Sequence, residues 1–129
     1  MDVMRKKIEL EYIFSSSVKV LFSRLSTAAG LAEWFADDVL QKGERFVFVW
    51  HGGTEHAATL LDLKPNSRVR FAWEDAEDEE EYFGFDVHVE PLTGDVALIV
   101  TDFAEEDEAE DAVDLWDKQM EILHRNLGA

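Results

Sequence analysis

Cysteine is absent from the 129 residues. Its absence excludes disulfides, a thiol nucleophile and a thiolate metal site. It also suits a reducing compartment, so a cytoplasmic location is expected. Basic residues are scarce: 12 Lys and Arg stand against 29 Asp and Glu, a formal charge of -17. Such a surface repels a nucleic-acid backbone and an anionic bilayer, so neither is an expected partner. Long apolar runs are missing too. The stretch over residues 8–14 is broken by Glu9 and Glu11, so no signal peptide is expected. Nothing approaches the ~20 residues of a membrane span, so no membrane insertion is expected. Proline occurs twice, at Pro65 and Pro91, each where a strand pattern stops. No repeat and no Pro/Gly/Ser linker divides the chain, so we expect a single domain over residues 1–129. A chain of this length buries enough surface to fold without a metal or disulfide.

What is present is periodicity. Ile8, Leu10, Tyr12 and Phe14 alternate with charged residues, which predicts a strand with one buried face. Ser15, Ser16 and Ser17 supply a helix N-cap, and Val18, Leu21, Phe22 and Leu25 follow at helical spacing. Ser26 and Thr27 cap a second short helix, on one face of which Leu31, Trp34 and Phe35 are expected. Gly30 should weaken that helix. The period then changes to two. Strands are predicted over residues 37–40, 45–50, 55–63, 68–74, 83–90 and 96–103, joined by turns of hairpin length. A final helix over residues 106–126 carries Ala109, Val113, Trp116, Met120, Leu123 and Leu127 on one stripe. Acidic residues crowd its start and His124 and Arg125 its end, which matches the helix dipole. Gly128 is its expected terminator.

The order is strand, two short helices, six strands and a long helix. Short connections imply an antiparallel meander, and the final helix carries the stripe able to cover its inner face. This α+β order resembles the helix-grip fold of the START/Bet v 1-like (SRPBCC) superfamily: a curved antiparallel sheet wrapped on a long C-terminal helix. Leu31-Ala-Glu-Trp-Phe-Ala36 followed by Asp37-Asp38-Val39 resembles the second-helix motif of proteins related to the Hsp90 ATPase activator domain. The opening Lys7-Ile-Glu-Leu-Glu-Tyr-Ile-Phe-Ser15 and the segment Leu115-Trp-Asp-Lys-Gln-Met-Glu-Ile-Leu123 are similar to a small bacterial START-like group. The resemblance spans essentially the whole chain. It implies binding of lipids or other apolar molecules, assistance to chaperones, or a cyclisation activity, and a shared fold does not choose among these.

The residues themselves sharpen the choice. Trp34, Phe35, Phe48, Phe71, Trp73, Phe85, Trp116 and Met120 are the candidate lining of an apolar pocket between the sheet and the final helix. The same rings would serve equally as a filled core. Ala57, Ala58, Ala72, Gly84 and Ala97 would leave space, and the parity of Val69, Phe71 and Trp73 points those three inward. Burying ~200 Å2 of apolar ligand surface would favour binding by about 5 kcal/mol before entropy costs. The leading expectation is therefore non-enzymatic binding of a hydrophobic small molecule or lipid. An interaction module for a basic protein partner, acting through the acidic surface, and a small enzyme using the pocket are the alternatives. A homodimer formed through an exposed meander edge is a further expectation.

Other residues point less far. His51 and His56 flank the Gly52-Gly53 turn with no third ligand at a metal-binding spacing, so no metal and no cofactor are expected. His51, beside Trp50, could offer one polar contact at a pocket rim. Residues 74–81 hold seven carboxylates in eight positions and residues 102–111 seven in ten, which read as a solvated hairpin tip and a helix start, or as a docking patch. The central glycine of a calcium loop is missing from both. Arg68 and Arg70 lie on the face opposite Phe71 and should meet acidic residues on a neighbouring strand. Neither a catalytic triad nor a phosphate-binding loop is present in the pattern, and no catalytic residue is expected.

Overall fold

The computed structural model describes residues 5–76 and 80–128. Residues preceding Arg5, and the middle of the acidic run over 74–81, lie outside the described residues. In chain order the elements are β1 (Arg5–Phe14), α1 (Val18–Ser26), α2 (Ala28–Leu31), β2 (Asp38–Lys42), β3 (Arg45–Val49), β4 (Glu55–Lys64), β5 (Arg68–Trp73), β6 (Phe83–Val89), β7 (Val96–Glu105) and α3 (Ala109–Leu127). The seven strands form one antiparallel sheet in the order β1-β7-β6-β5-β4-β3-β2. The meander thus runs from β2 to β7 as the turn spacing predicts. β1 returns to pair with β7 along its whole length, from Arg5 opposite Glu105 to Phe14 opposite Val96.

Local chemistry sets the helices. The Ser17 hydroxyl accepts the Val20 N–H at 3.1 Å to start α1, and the Thr27 hydroxyl accepts the Gly30 N–H at 2.9 Å to start α2. α2 is shorter than its motif suggests. It ends at Leu31, and residues 32–35 continue as turns folded back on the Leu31 carbonyl, which the Phe35 N–H reaches at 2.9 Å. Trp34 and Phe35 therefore occupy a turn rather than a helix face. Gly30 has a reason beyond weak propensity. A Cβ there would overlap the Ser23 carbonyl oxygen of α1, so only glycine lets the two helices close up. The final helix begins later than expected, because residues 106–108 form a single 3-10 turn with no capping side chain. Gly128, at φ 69°, ends it in the left-handed conformation.

The concave face holds the core. Phe14, Phe46, Phe48, Phe71 and Phe85 are fully buried there, and Ala109, Trp116, Met120 and Leu123 are the buried members of the α3 stripe. Polar contacts fix the helix along β1. The Tyr12 hydroxyl donates to Asp117 Oδ1 at 2.7 Å. The His124 ring stacks on Phe14 with centroids 3.9 Å apart, and its two nitrogens lie 2.9 Å from the Met120 and Ile13 carbonyl oxygens. On the convex face Arg68 pairs with Asp86 of β6 at 3.1 Å and with Asp62 of β4 at 3.4 Å, the neighbours its parity predicts. Arg70 lies over the Tyr82 ring at 4.7 Å and crosses the bare backbone of Gly84.

Gly30→Ala tests the close approach of α1 and α2. In an ordinary helix this change stabilises by about 1 kcal/mol. Here the overlap should reverse the sign and cost about 2 kcal/mol, read as a lowered midpoint in urea unfolding. A stabilised variant would refute the tight contact.

Candidate functional site

At the open end of the concave face the sheet presents tryptophan. Trp50 follows β3 and Trp73 closes β5, with ring centroids 6.0 Å apart. The β3–β4 register places His56 opposite Phe48 and so on the same face. Its ring meets Trp50 at 5.7 Å and Trp73 at 6.0 Å. The rim histidine is thus His56, paired with Asp75 at 3.6 Å, while His51 stands exposed on its turn. Three of the four indole N–H groups have acceptors: Trp34 donates to the Arg24 carbonyl at 2.7 Å, Trp50 to the Phe35 carbonyl at 3.0 Å and Trp116 to Asp102 Oδ2 at 2.8 Å. Trp73 has no hydrogen-bond partner for its indole N–H among the described residues.

Between these rings and α3 lies a cleft of about 350 Å3. Phe35, Phe83 and Trp116, each at most 5% exposed, form its floor. Half-buried Trp50 and Trp73 make one wall, and Leu115 and Gln119 of α3 make the other. The floor is a stack of rings, with Phe35 lying 5.8 Å from Phe83 and 5.9 Å from Trp116. Two hollows adjoin it. One shares Trp73 and Asp102 and adds Arg5, Glu81 and Tyr82; the other shares Trp50 and Trp73 and adds His56 and Asp75.

Among the described residues, Asp102 is the one ionisable group lining the cleft itself. It stands opposite Ile8 in the β1–β7 pairing and faces inward with Val96, Leu98 and Val100. Its Oδ2 accepts the Trp116 indole N–H and its Oδ1 the Phe103 backbone N–H, both at 2.8 Å. Burial pushes its carboxyl above the ordinary carboxylate value. The Trp116 and Phe103 donors and the Arg5 charge pull the other way, while Glu81 adds to the rise. Arg5 itself grips Glu81 with two parallel contacts, Nε to Oε2 at 2.8 Å among them.

The eight pocket candidates divide by depth. Trp73, Phe35 and Trp116 line the cleft. Trp34 and Phe35 line a second groove on the outer side of the α2–β2 turn, against Leu115 and Ile122 of α3. Phe48, Phe71, Phe85 and Met120 are at most 1% exposed and lie in the packed layer beneath. They support the lining: Phe48 sits 5.2 Å from Phe35, Phe71 5.2 Å from Phe83, and Phe85 5.8 Å from Trp116. Of the small residues expected to leave space, Ala58 alone faces inward. Ala57, Ala72, Gly84 and Ala97 pair with outward-facing positions, so their size opens nothing in the interior.

Sequence reasoning missed Trp50, Phe83 and Asp102 as lining residues. Asp102 had a usable signal: the inward series Val96, Leu98, Val100 continues to it by parity, and a carboxylate on an apolar face is informative. On the convex face, ligand-type atoms of Glu11, His88 and Glu90 come within 4.8 Å of one another, and His88 already pairs with Glu90 at 3.2 Å. This trio, with Glu11 and His88 exposed and Glu90 half-buried, lies across the sheet from the cleft.

A family model described as a START-like superfamily domain matches residues 3–129. The chain belongs to the START-like superfamily. Hydrophobic ligands are commonly bound by this START-like fold. A Bacteroides fragilis protein solved in solution by NMR is 38% identical, with 94% of this chain and 90% of that chain covered and a TM-score of 0.66. The Aha1 dimer from Colwellia psychrerythraea is 19% identical over 95% of this chain and 96% of that one, with a TM-score of 0.78. CalU16 from Micromonospora echinospora is 14% identical over 95% of this chain and 76% of that one, with a TM-score of 0.72. The last two show the shared helix-grip fold. No curated protein matches the chain. No helix among the described residues is long and apolar enough to cross a membrane.

The raised Asp102 carboxyl makes a signed prediction. The folded START-like domain binds this proton more tightly than the unfolded chain does. Unfolding therefore releases a proton once the pH passes the unfolded value. Stability of the native protein relative to Asp102→Asn should be greatest below the ordinary carboxylate range. It should fall as pH rises through the raised folded value, then level off. Urea titrations of both proteins from about pH 3 to pH 8 read this difference, and a difference that grows with pH would refute it.

Proposed function

We propose that the protein, acting as one domain, binds a hydrophobic small molecule or part of a lipid in the cleft under the first half of α3, without converting it. The observation that supports this is the convergence of Phe35, Trp50, Trp73, Phe83 and Trp116 on one open hollow of about 350 Å3. A hollow of that size lies in the range of small-ligand sites. The packed layer of Phe48, Phe71, Phe85 and Met120 stops the ligand from entering the middle of the domain. A ring system or the end of a chain fits this shape better than a whole long-chain lipid. Asp102 is engaged by two N–H donors and Glu81 by Arg5, an arrangement that holds charge in place rather than passing protons. It favours a binder over an enzyme.

The acidic surface supports a second reading. Glu106, Asp107, Glu108, Glu110 and Asp111 are all exposed on the 3-10 turn before α3 and its first turn, and together they suit a protein partner with a basic face. Affinity for such a partner should fall steeply with added salt. The free edges of β1 and β2 would serve a homodimer, and the absence of cysteine fits a cytoplasmic setting.

A neutral solvatochromic dye such as Nile red tests the main reading, because an anionic dye would be repelled by the net charge of -17. The folded protein should give saturable fluorescence enhancement. Trp73→Leu should weaken binding about tenfold. Leu92→Ala, at a fully exposed turn position, should leave it unchanged. Absence of saturable binding by the folded protein would overturn the proposal.

A further inference from the structure

The cleft combines two features that an apolar pocket does not need together. One wall and part of its floor are indole rings, and a carboxylate is set beside them. Asp102 occupies an inward position that Val96, Leu98 and Val100 would lead one to fill with an aliphatic side chain. Each of its oxygens accepts one N–H, from Trp116 and from Phe103, which leaves further lone pairs on both. Among the described residues no Lys or Arg forms an ion pair with it. Arg5, the cation that acts on it from β1, is committed to Glu81. The carboxylate is therefore held in place by neutral donors and lacks a counter-ion of its own.

We propose that the cleft selects an organic cation, a ligand whose apolar ring or chain lies among Trp50, Trp73 and Trp116 while its ammonium group pairs with Asp102. The proposal rests on the ligand-binding reading above and adds the chemical class of the ligand. Three independent features agree with it. Indole faces attract cations more strongly than other aromatic rings do. The adjoining hollows add Asp75 to the rim, and Glu81 there is already neutralised by Arg5. The net charge of -17 concentrates cations near the surface and disfavours carboxylate or phosphate ligands. The unpartnered Trp73 N–H stays available to a solvent molecule or to an acceptor elsewhere on the ligand.

Three probes of one shape separate the claims: naphthylmethylamine, naphthylmethanol and methylnaphthalene, each titrated into the 15N-labelled protein and followed at the tryptophan indole N–H signals. The amine should bind at least about tenfold more tightly than either neutral probe. Asp102→Asn should reduce that preference to about unity while leaving the hydrocarbon's affinity within about threefold. Asp75→Asn should leave most of the preference in place. In the native protein, saturation with the amine should also shift the NMR titration of the Asp102 carboxyl carbon to lower pH, because a neighbouring cation favours the ionised form. The charged groups already acting on that carboxyl are Arg5 and Glu81. This last measurement needs no variant and stands even if Asp102→Asn fails to fold. An amine that binds no tighter than the alcohol or the hydrocarbon would overturn the inference and leave the binding reading intact. So would an unmoved Asp102 titration or a preference that survives Asp102→Asn. Failure of all three probes to saturate would overturn the binding reading and the inference with it.

Discussion

Trp116 joins the two halves of this structure. Its ring closes the core by packing on Phe35 and Phe85, and its indole N–H holds the Asp102 carboxylate in an otherwise apolar wall. The side chain is 5% exposed, so one residue of α3 is at once the end of the core and the floor of the cleft. Burying a carboxylate is unfavourable unless hydrogen bonds replace its water. Here the indole and one backbone N–H do so, and the depth of the site follows from where the helix sets Trp116 down. The contacts that position α3, Tyr12 to Asp117 and His124 against Phe14, thereby position the site as well.

Much of the fold was legible because the two periodicities are clean. Phe46 and Phe48, Val69 and Phe71, and Phe83 and Phe85 all face inward as their alternation requires. The stripe on α3 buries Trp116, Met120 and Leu123 as its spacing requires. The pairing of β1 with β7 was not legible, because two strands separated by most of the chain carry no local signal of being neighbours. The short extent of α2 was hidden for a related reason. Trp34 and Phe35 have helical spacing, yet the turn they occupy is set by hydrogen bonds to the Leu31 carbonyl and by indole contacts to Arg24 and from Trp50.

The candidate site was legible as a kind and not as a place. Composition shows many rings, and parity assigns several to one side, but neither gives depth. Depth separates Trp73, which lines the cleft, from Phe71 two residues earlier, which is fully buried in the core. Distance from the open end of the sheet decides this, and that distance depends on strand order and on where α3 stops covering the face. Asp102 was obscured by its neighbours, since seven carboxylates in residues 102–111 read as one solvated run. In the structure that run divides. Asp102 belongs to β7 and faces the core side, whereas the acidic residues from Glu106 onward are exposed on the 3-10 turn and the first turn of the final helix.

The division of labour within the cleft follows from magnitudes. Covering ~150 Å2 of apolar ligand surface contributes about 4 kcal/mol, and it does so for any ligand of suitable shape. A charge pair some 4 Å apart near a protein surface is worth up to about 4 kcal/mol before desolvation, which removes a large part of it. On the proposed reading the rings would therefore supply most of the affinity and little discrimination. On that reading the carboxylate would add less affinity than the rings, yet it would separate a cation from a neutral molecule of the same outline, and it would repel an anion. Since the START-like fold is shared by proteins of many functions, what is particular to this chain is less the hollow than the single charge set into its wall, beside a ring floor that keeps water from screening it fully.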